Sequence, residues 1–370
     1  MIRIIKNIAS LLIFYFLRMF FRRRENAGKD ILFYNSEKIG DLVVSSVIIE
    51  NDDKLCKEKQ VYFLVKEKYL SLFGGYKGEI KFISYKHGLY KWFLPYRIFL
   101  LTKIRKLRLG SFYNLTPARG MLNDEISLLS GAGRTFAMCS DTKYLKGTGG
   151  RTGSLYDSIL FPEIKNEYVK HTELLKLLGI PEEEILFENK NTFALRSDNY
   201  RIYKNDIKKN EYIVVSPLSS EPGRSWGTVN FRKLCSELSV HYKIVLTGSE
   251  KEKKYLEIIR NNNKNIITDT SPLGELPSLI EHCRFFIGGD SGLTHIALKL
   301  GKPLLAVLDG GYFNRYFPYR TDDTKNNYIY KMMDCFECGF DCIYNKKLCI
   351  TEIRYEDVLE KVKNILKDIE

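Results

Sequence analysis

Two short stretches hold residues whose types and spacing could do chemistry. In GGDSGLTHIALKLGKP, residues 288–303, glycines, an acid, two hydroxyls and a histidine run directly into an apolar helical pattern. Asp290 or Ser291 can cap that helix, and Gly301 and Pro303 stand where it ends. The first amides of a helix are unpaired and its dipole is positive there, so the turn suits an anion, above all a phosphate. Glycine at 288, 289 and 292 would let that anion approach the backbone. A tight capped turn without a ligand fits the same spacing. In SEKIGDLVVSS, Gly40 and Asp41 open another helix, and Asp41 reads either as an N-cap or as a base.

Other stretches could complete such a site. SPLSSEPGRSWG places Ser219, Ser220 and Arg224 in a loop shaped by glycine and proline. Two hydroxyls and a guanidinium there suit a diphosphate, and a solvated loop is the alternative. Trp226 is assigned to packing. In LTGSEKEKK, Glu252 stands four residues after Gly248 at a strand end, where it could hold a ribose hydroxyl or be an exposed helix acid. Four of the eight cysteines, Cys335, Cys338, Cys342 and Cys349, cluster in CFECGFDCIYNKKLC. That set could hold zinc, although its spacings are tighter than those of ribbons and fingers. The remaining cysteines, Cys56, Cys139, Cys235 and Cys283, read as small buried residues.

The elements that must position these groups alternate along the chain. ILFYN, VYFLV, IKFISY and FYNL are strands of the first half, with helices over GDLVVSSVIIE and HTELLKLLGI. A charged, asparagine-rich linker runs from about Pro181 to Asn210. The second half repeats the alternation: YIVVSP, FRKLCSELSV, YKIVLTG, a helix from Glu250, NIITD, a helix over LGELPSLIEHC, RFFIGG and PLLAVL. The last residues, YEDVLEKVKNILKDI, form a closing helix. At 370 residues two domains are expected. The expected fold class is α/β, with two Rossmann-like domains of parallel sheets facing a central cleft. Expected boundaries are 1–25 for an N-terminal helix, 26–190 and 191–349 for the two domains, and 350–370 for a closing helix that returns to the first.

The net charge of +13 calls for an anionic partner. Residues 1–30 hold seven basic and two acidic residues. Their apolar stretch is short for a membrane span and lacks a cleavage site. Arg3, Lys6, Asn7, Ser10, Arg18 and Arg22 fall in one helical stripe, broken by Phe14. This pattern predicts an amphipathic helix lying on a membrane surface, its arginines on lipid phosphates, with packing against the protein's own body as the alternative. Nucleic acid is not expected, because much of the charge lies in this segment rather than along a basic stripe on the folded body. The absence of a G-x-G-x-x-G after the first strand argues against a dinucleotide-dependent oxidoreductase.

Taken in order, IGD at 39–41, SSEPGRSW at 219–226, LTGSEKE at 246–252, GGDSGLTHIALKLGKP and CFECGFDC followed by LCITEI resemble glycosyltransferase family 9, the heptosyltransferases. The resemblance implies the GT-B fold and inverting, metal-independent transfer of a sugar from a nucleotide diphosphate, here an ADP-sugar such as ADP-heptose. It implies a lipid-linked saccharide acceptor, such as lipopolysaccharide core, and a peripheral position on the cytoplasmic face of the inner membrane. No cofactor beyond the donor is implied. Asp41 matches the family's base, and Arg224 stands where a lysine is usual. Ser219, Ser220, Glu252, Asp290, Ser291, Gly292, Leu293, Thr294 and His295 match the donor site. The proline that commonly follows the GD element is absent. A non-catalytic nucleotide-sugar-binding protein of the same fold is the alternative.

Overall fold

The structure, a computed structural model, describes residues 2–23, 27–138, 150–187, 207–219, 222–317, 327–344 and 346–369. Side chains are described for these except at 2–9, 150, 151, 222 and 327. Ser220, Cys139, Arg24, the boundary expected at 190/191 and the side chains of Arg3, Lys6 and Asn7 therefore lie outside the described residues. The chain divides into two compact units, one of residues 1–70 and 77–186, the other of 71–76 and 187–370.

In the first unit, strands β1 (Ile31–Tyr34), β2 (Val61–Lys66), β3 (Lys81–Tyr85), β4 (Ser111–Asn114), β5 (Arg134–Met138) and β6 (Ser158–Leu160) form a parallel sheet in the order β3-β2-β1-β4-β5-β6. Every residue of β1 is buried, as a strand covered on both faces requires. Labelled helices of this unit are α1 (Ile2–Phe20), α2 (Ile39–Ser45), α3 (His87–Trp92), α4 (Leu94–Arg105), α5 (Met121–Leu128) and α6 (Glu167–Leu177); one-turn helices are left unlabelled. The connection from β1 runs to β2 on one side, and β4 adds on the other. The loops after β1 and β4 thus meet at the reversal of strand order, where ligands of such sheets bind.

The second unit repeats the plan with β7 (Tyr212–Ser216), α7 (Thr228–Leu238), β8 (Lys243–Thr247), α8 (Lys253–Arg260), β9 (Ile266–Asp269), α9 (Leu276–Glu281), β10 (Phe285–Gly289), α10 (Gly292–Lys299), β11 (Leu304–Val307), β12 (Asn327–Ile329) and α11 (Tyr355–Asp368). Its parallel order is β12-β11-β10-β7-β8-β9, so β7 and β10 flank the reversal. Register sets Ser216 beside Gly288, and Gly289 beside Val307, which levels the carboxyl ends of β7, β10 and β11.

The closing helix α11 packs within the second unit. Its apolar stripe, Val358, Val362, Ile365 and Leu366, is buried in the second unit's core with Ile213, Phe231 and Leu234, because that face matches the sheet's own helix layer. Helix α1 packs on its own unit: Phe14, the residue that broke the polar stripe, is fully buried with Leu17, Leu101, Met121 and Leu129. Arg23 pairs with Asp157 at 2.8 Å. No helix of the described residues is long and apolar enough to cross a membrane.

Candidate active site

Asp41 lies in the first turn of α2, just after β1. Its backbone is held from below. Asn35, the first residue past β1, donates its amide to the Asp41 carbonyl at 3.1 Å and to the Ser45 hydroxyl at 2.7 Å. The Ser45 hydroxyl also lies 3.0 Å from the Asp41 carbonyl and 3.0 Å from Nε2 of the buried His171 on α6. His171 Nδ1 meets the Glu167 carbonyl at 2.6 Å. Lys66, at the end of β2, feels the charges of Glu37 and Asp41, although burial holds its pKa below the usual lysine value. Asn35, Ser45 and His171 were not singled out from sequence. Asn35 could have been found as the polar residue ending an apolar strand; His171 sits in a helix pattern with nothing to mark it.

In the second unit the turn after β10 is built by packing. Ser291 occupies the N-cap position of α10 without a side-chain capping bond. The Thr294 hydroxyl donates to the Gly289 carbonyl at 2.5 Å, so its single proton is spent and the Ser291 hydroxyl donates to it at 3.2 Å. Gly288 is glycine for this reason and not to admit an anion: a Cβ there would stand 2.7 Å from Thr294 Oγ1 and 2.8 Å from the Phe286 ring. Gly289 is different, since its Cβ would meet only the Val307 carbonyl at 3.6 Å.

Arg224, on the one-turn helix Pro222–Arg224 after β7, is clamped between two carboxylates. It donates to Asp290, and through Nε to Asp309 at 3.2 Å. Its guanidinium lies 4.7 Å from the Phe340 ring centroid and 5.7 Å from that of Tyr312. Burial, then Asp290, pushes the Asp309 carboxyl above the usual range, and Arg224 opposes them. His295 is buried and stacked on Phe317 with centroids 4.6 Å apart. Burial and the Arg224 charge lower its pKa to about 3, so the imidazole is neutral at physiological pH. Its Nε2 stands 4.0 Å from Asp290, outside hydrogen-bond reach.

The residues expected at this site separate into groups. Arg224, Asp290, Ser291, Thr294 and His295 come together, and Gly292 and Leu293 form the first turn of the same helix. Ser219 is half-buried in the loop after β7. Glu252 follows β8, but its Oε2 accepts from the Ser249 amide at 2.7 Å and the Ser249 hydroxyl at 2.5 Å, a capping box. Trp226 is a packing residue, its indole donating to the Ile353 carbonyl at 2.9 Å. Asp309 was missed; the signal was an acid followed by Gly310 and Gly311 at the end of a buried strand.

Those two glycines also explain the cysteine segment. A Cβ on Gly310 or Gly311 would stand 2.3 Å from the ring of Phe336 or Phe340. The Glu337 and Gly339 amides donate to the Gly310 and Gly311 carbonyls at 2.7 and 2.9 Å. The segment therefore seats Phe340 between Arg224 and Lys347, whose Nζ lies 4.7 Å from the ring centroid. Cys335, Cys338, Cys342 and Cys349 line one small cavity behind it, as free thiols. Among the described residues no three His, Cys, Asp or Glu side chains are grouped to hold a metal ion.

Residues 170–343 match the model of glycosyltransferase family 9 (heptosyltransferase). The match takes in 47% of the chain, and over that span the chain is similar to this family. The chain is a glycosyltransferase. It is 25% identical over 224 residues to lipooligosaccharide heptosyltransferase 2 of Campylobacter jejuni, a match spanning 55% of this chain and 67% of that one. Among solved structures, E. coli ADP-heptose lps heptosyltransferase II superposes with a TM-score of 0.70 at 16% identity, covering 92% of this chain and 99% of that one. E. coli heptosyltransferase WaaC, solved with ADP-2-deoxy-2-fluoro heptose, gives 0.63 at 13% identity, covering 90% and 99%. These likenesses establish the fold, GT-B.

Proposed function

We propose that this glycosyltransferase moves heptose from ADP-heptose onto a lipid-linked saccharide of the lipopolysaccharide-core class, with inversion at the anomeric carbon and without a metal ion. The donor class is supported by the family match, by the ADP-heptose named for E. coli heptosyltransferase II and by the ADP-2-deoxy-2-fluoro heptose named for WaaC. The observation that carries the reading is the turn after β10: a helix start whose serine does not cap it, beside a clamped guanidinium, at the carboxyl ends of β7, β10 and β11.

In this reading Asp41 takes the proton of an acceptor hydroxyl as its oxygen forms the bond to the anomeric carbon, and the bond from that carbon to the diphosphate oxygen breaks. A single displacement of this kind inverts the centre. The departing ADP gains negative charge, which the first turn of α10, over Ser291, Gly292, Leu293 and Thr294, stabilises most in the transition state. Arg224 adds positive charge held in place by Asp290 and Asp309. Ser219 and Ser220 supply hydroxyl contacts to the diphosphate, and Glu252 contacts the ribose. His295, neutral and stacked, braces the turn. The enzyme works peripherally at the cytoplasmic face of the inner membrane, where a lipid-linked acceptor is presented.

Asp41→Asn tests this. The variant is expected to lose about 10²–10⁴-fold in kcat while binding ADP-heptose as before. Binding is read by thermal shift, since a donor at ten times its Kd stabilises by about 1.4 kcal/mol. Transfer by Asp41→Asn at the unaltered rate, or a larger shift with UDP- or GDP-sugars than with ADP-heptose, would overturn the assignment.

A further inference from the structure

Helix α1 has two apolar faces. Phe14 and Leu17 are buried against the protein, while Phe16, Met19 and Phe20 on the opposite side face solvent. Helices α3 and α4 repeat this exposure: Trp92 and Phe93 at their junction, and Phe99 on α4, all point outward. Eleven of the twenty-one large apolar residues exposed among the described residues lie on these three helices or, as Phe93, at the junction of α3 and α4.

Helix α4 adjoins both sets. Along α4, Leu94, Ile98, Leu101 and Arg105 stand at spacings of four, three and four, one stripe of a helix. Its second half touches α1: Leu101 is buried with Phe14 and Leu17, and the Arg105 guanidinium lies 5.5 Å from the Phe21 ring centroid. Its first half, Leu94 and Ile98, continues the same line into solvent.

The segments that form this surface are rich in basic residues, of which Arg23 pairs with Asp157 and Lys86 with Glu67. Residues 80–123 contain nine lysines and arginines and no acid, and residues 1–24 contain six and no acid. Those fifteen positive charges exceed the whole chain's net charge of +13. The positive charge therefore has a second concentration, over residues 80–123, besides the N-terminus. Arg18, Arg22, Lys91, Lys103 and Lys106 are exposed there. Ordinary protein surfaces mix both signs and scatter their apolar residues. An apolar face with exposed aromatic residues and a basic rim matches a bilayer rich in anionic headgroups.

We infer that the outer face of α1 and the exposed residues of α3 and α4 together seat the enzyme on an anionic phospholipid surface, with Trp92 and Phe93 entering the headgroup boundary. The inference deepens the proposed function and rests on its lipid-linked acceptor. It adds a second contact region, from the middle of the first unit, to the N-terminal helix.

The two tryptophans make the test direct. Trp92 is 69% exposed and Trp226 3%, so a change of emission on binding reports Trp92. Vesicles of phosphatidylcholine, with and without about a third phosphatidylglycerol, are added to the full chain. Expected are a blue shift and quenching by brominated lipid with the anionic vesicles, weak with the neutral ones. Partitioning should fall about tenfold in Phe93→Ser/Phe99→Ser and in Phe16→Ser/Phe20→Ser, each retaining the unaltered thermal midpoint and ADP-heptose shift, since these side chains are exposed. No shift of Trp92, unchanged partitioning of Phe93→Ser/Phe99→Ser, or a lipid-free dimer that this variant dissolves would overturn the inference. Binding of single-stranded nucleic acid in preference to anionic vesicles would do the same. A delipidated oligosaccharide acceptor separates this inference from the catalytic one. Variants that transfer to it at the full rate, but tenfold more slowly to acceptor in vesicles, support the surface. A chain that binds vesicles through Trp92 yet transfers to neither acceptor refutes the catalysis alone and leaves the surface standing.

Discussion

Replacing Arg224 with methionine removes one cation from between two carboxylates while nearly preserving side-chain length. The guanidinium side chain is 11% exposed, and the Asp309 and Asp290 side chains are 0% and 12% exposed. Water can therefore do little to screen the two negative charges left facing each other. Breaking a buried ion pair from one side costs about 3–5 kcal/mol. For a unit of this size each kcal/mol moves the midpoint by about 2–4 °C, so the second unit's unfolding should fall by roughly 6–20 °C near neutral pH. The loss has a pH signature. Burial and Asp290 already raise the Asp309 pKa against the pull of Arg224, and removing Arg224 raises it further. A carboxyl with a raised folded-state pKa contributes its full stability below its unfolded value and loses it as pH rises through the folded one. The gap between wild type and Arg224→Met should therefore narrow as the pH drops through the raised pKa of Asp309. Adding Asp309→Asn to the variant should recover more than half of the loss, because the two sites share one interaction. The assay is thermal unfolding followed by Trp226 emission in a Trp92→Phe background. A gap below about 1 kcal/mol, or one that does not change with pH, would refute the clamp.

Two further outcomes follow from the same turn. Gly288→Ala should destabilise by about 1–3 kcal/mol, because its Cβ would stand 2.7 Å from Thr294 Oγ1 and 2.8 Å from the Phe286 ring, whereas Gly289→Ala should fall within about 0.5 kcal/mol of wild type; equal denaturation midpoints for the two would contradict the packing argument. His295, with its pKa lowered to about 3, leaves the unfolded chain the greater proton binder below the unfolded value near 6.5, so stability should decline as pH falls from about 6.5. His295→Asn should flatten that limb of the stability profile, and an unaltered slope would show that another group is responsible.

The sequence alone determined the alternation of the two halves. Strands buried on both faces, such as ILFY and YIVVS, must be continuous apolar runs, and capped amphipathic helices between them leave only parallel crossovers. Family motifs of contiguous residues were legible for the same reason: a strand, a turn and a helix start are local. Short or two-faced elements were not. The strand Ser158–Leu160 is three residues long, and α4 is apolar on both sides, so neither has a clear period.

Only the tertiary structure decided what each polar group does. It showed Glu252 closing a capping box, Asp309 completing the clamp on Arg224, and Gly288 making room for Thr294. It also buried Phe14 and turned Phe16 and Phe20 outward, although all three are apolar residues of one helix. Hydrophobicity states that a side chain leaves water; which neighbour receives it depends on residues distant in sequence. Leu101 and Met121 meet Phe14 across about a hundred residues of chain, a pairing that no local pattern encodes.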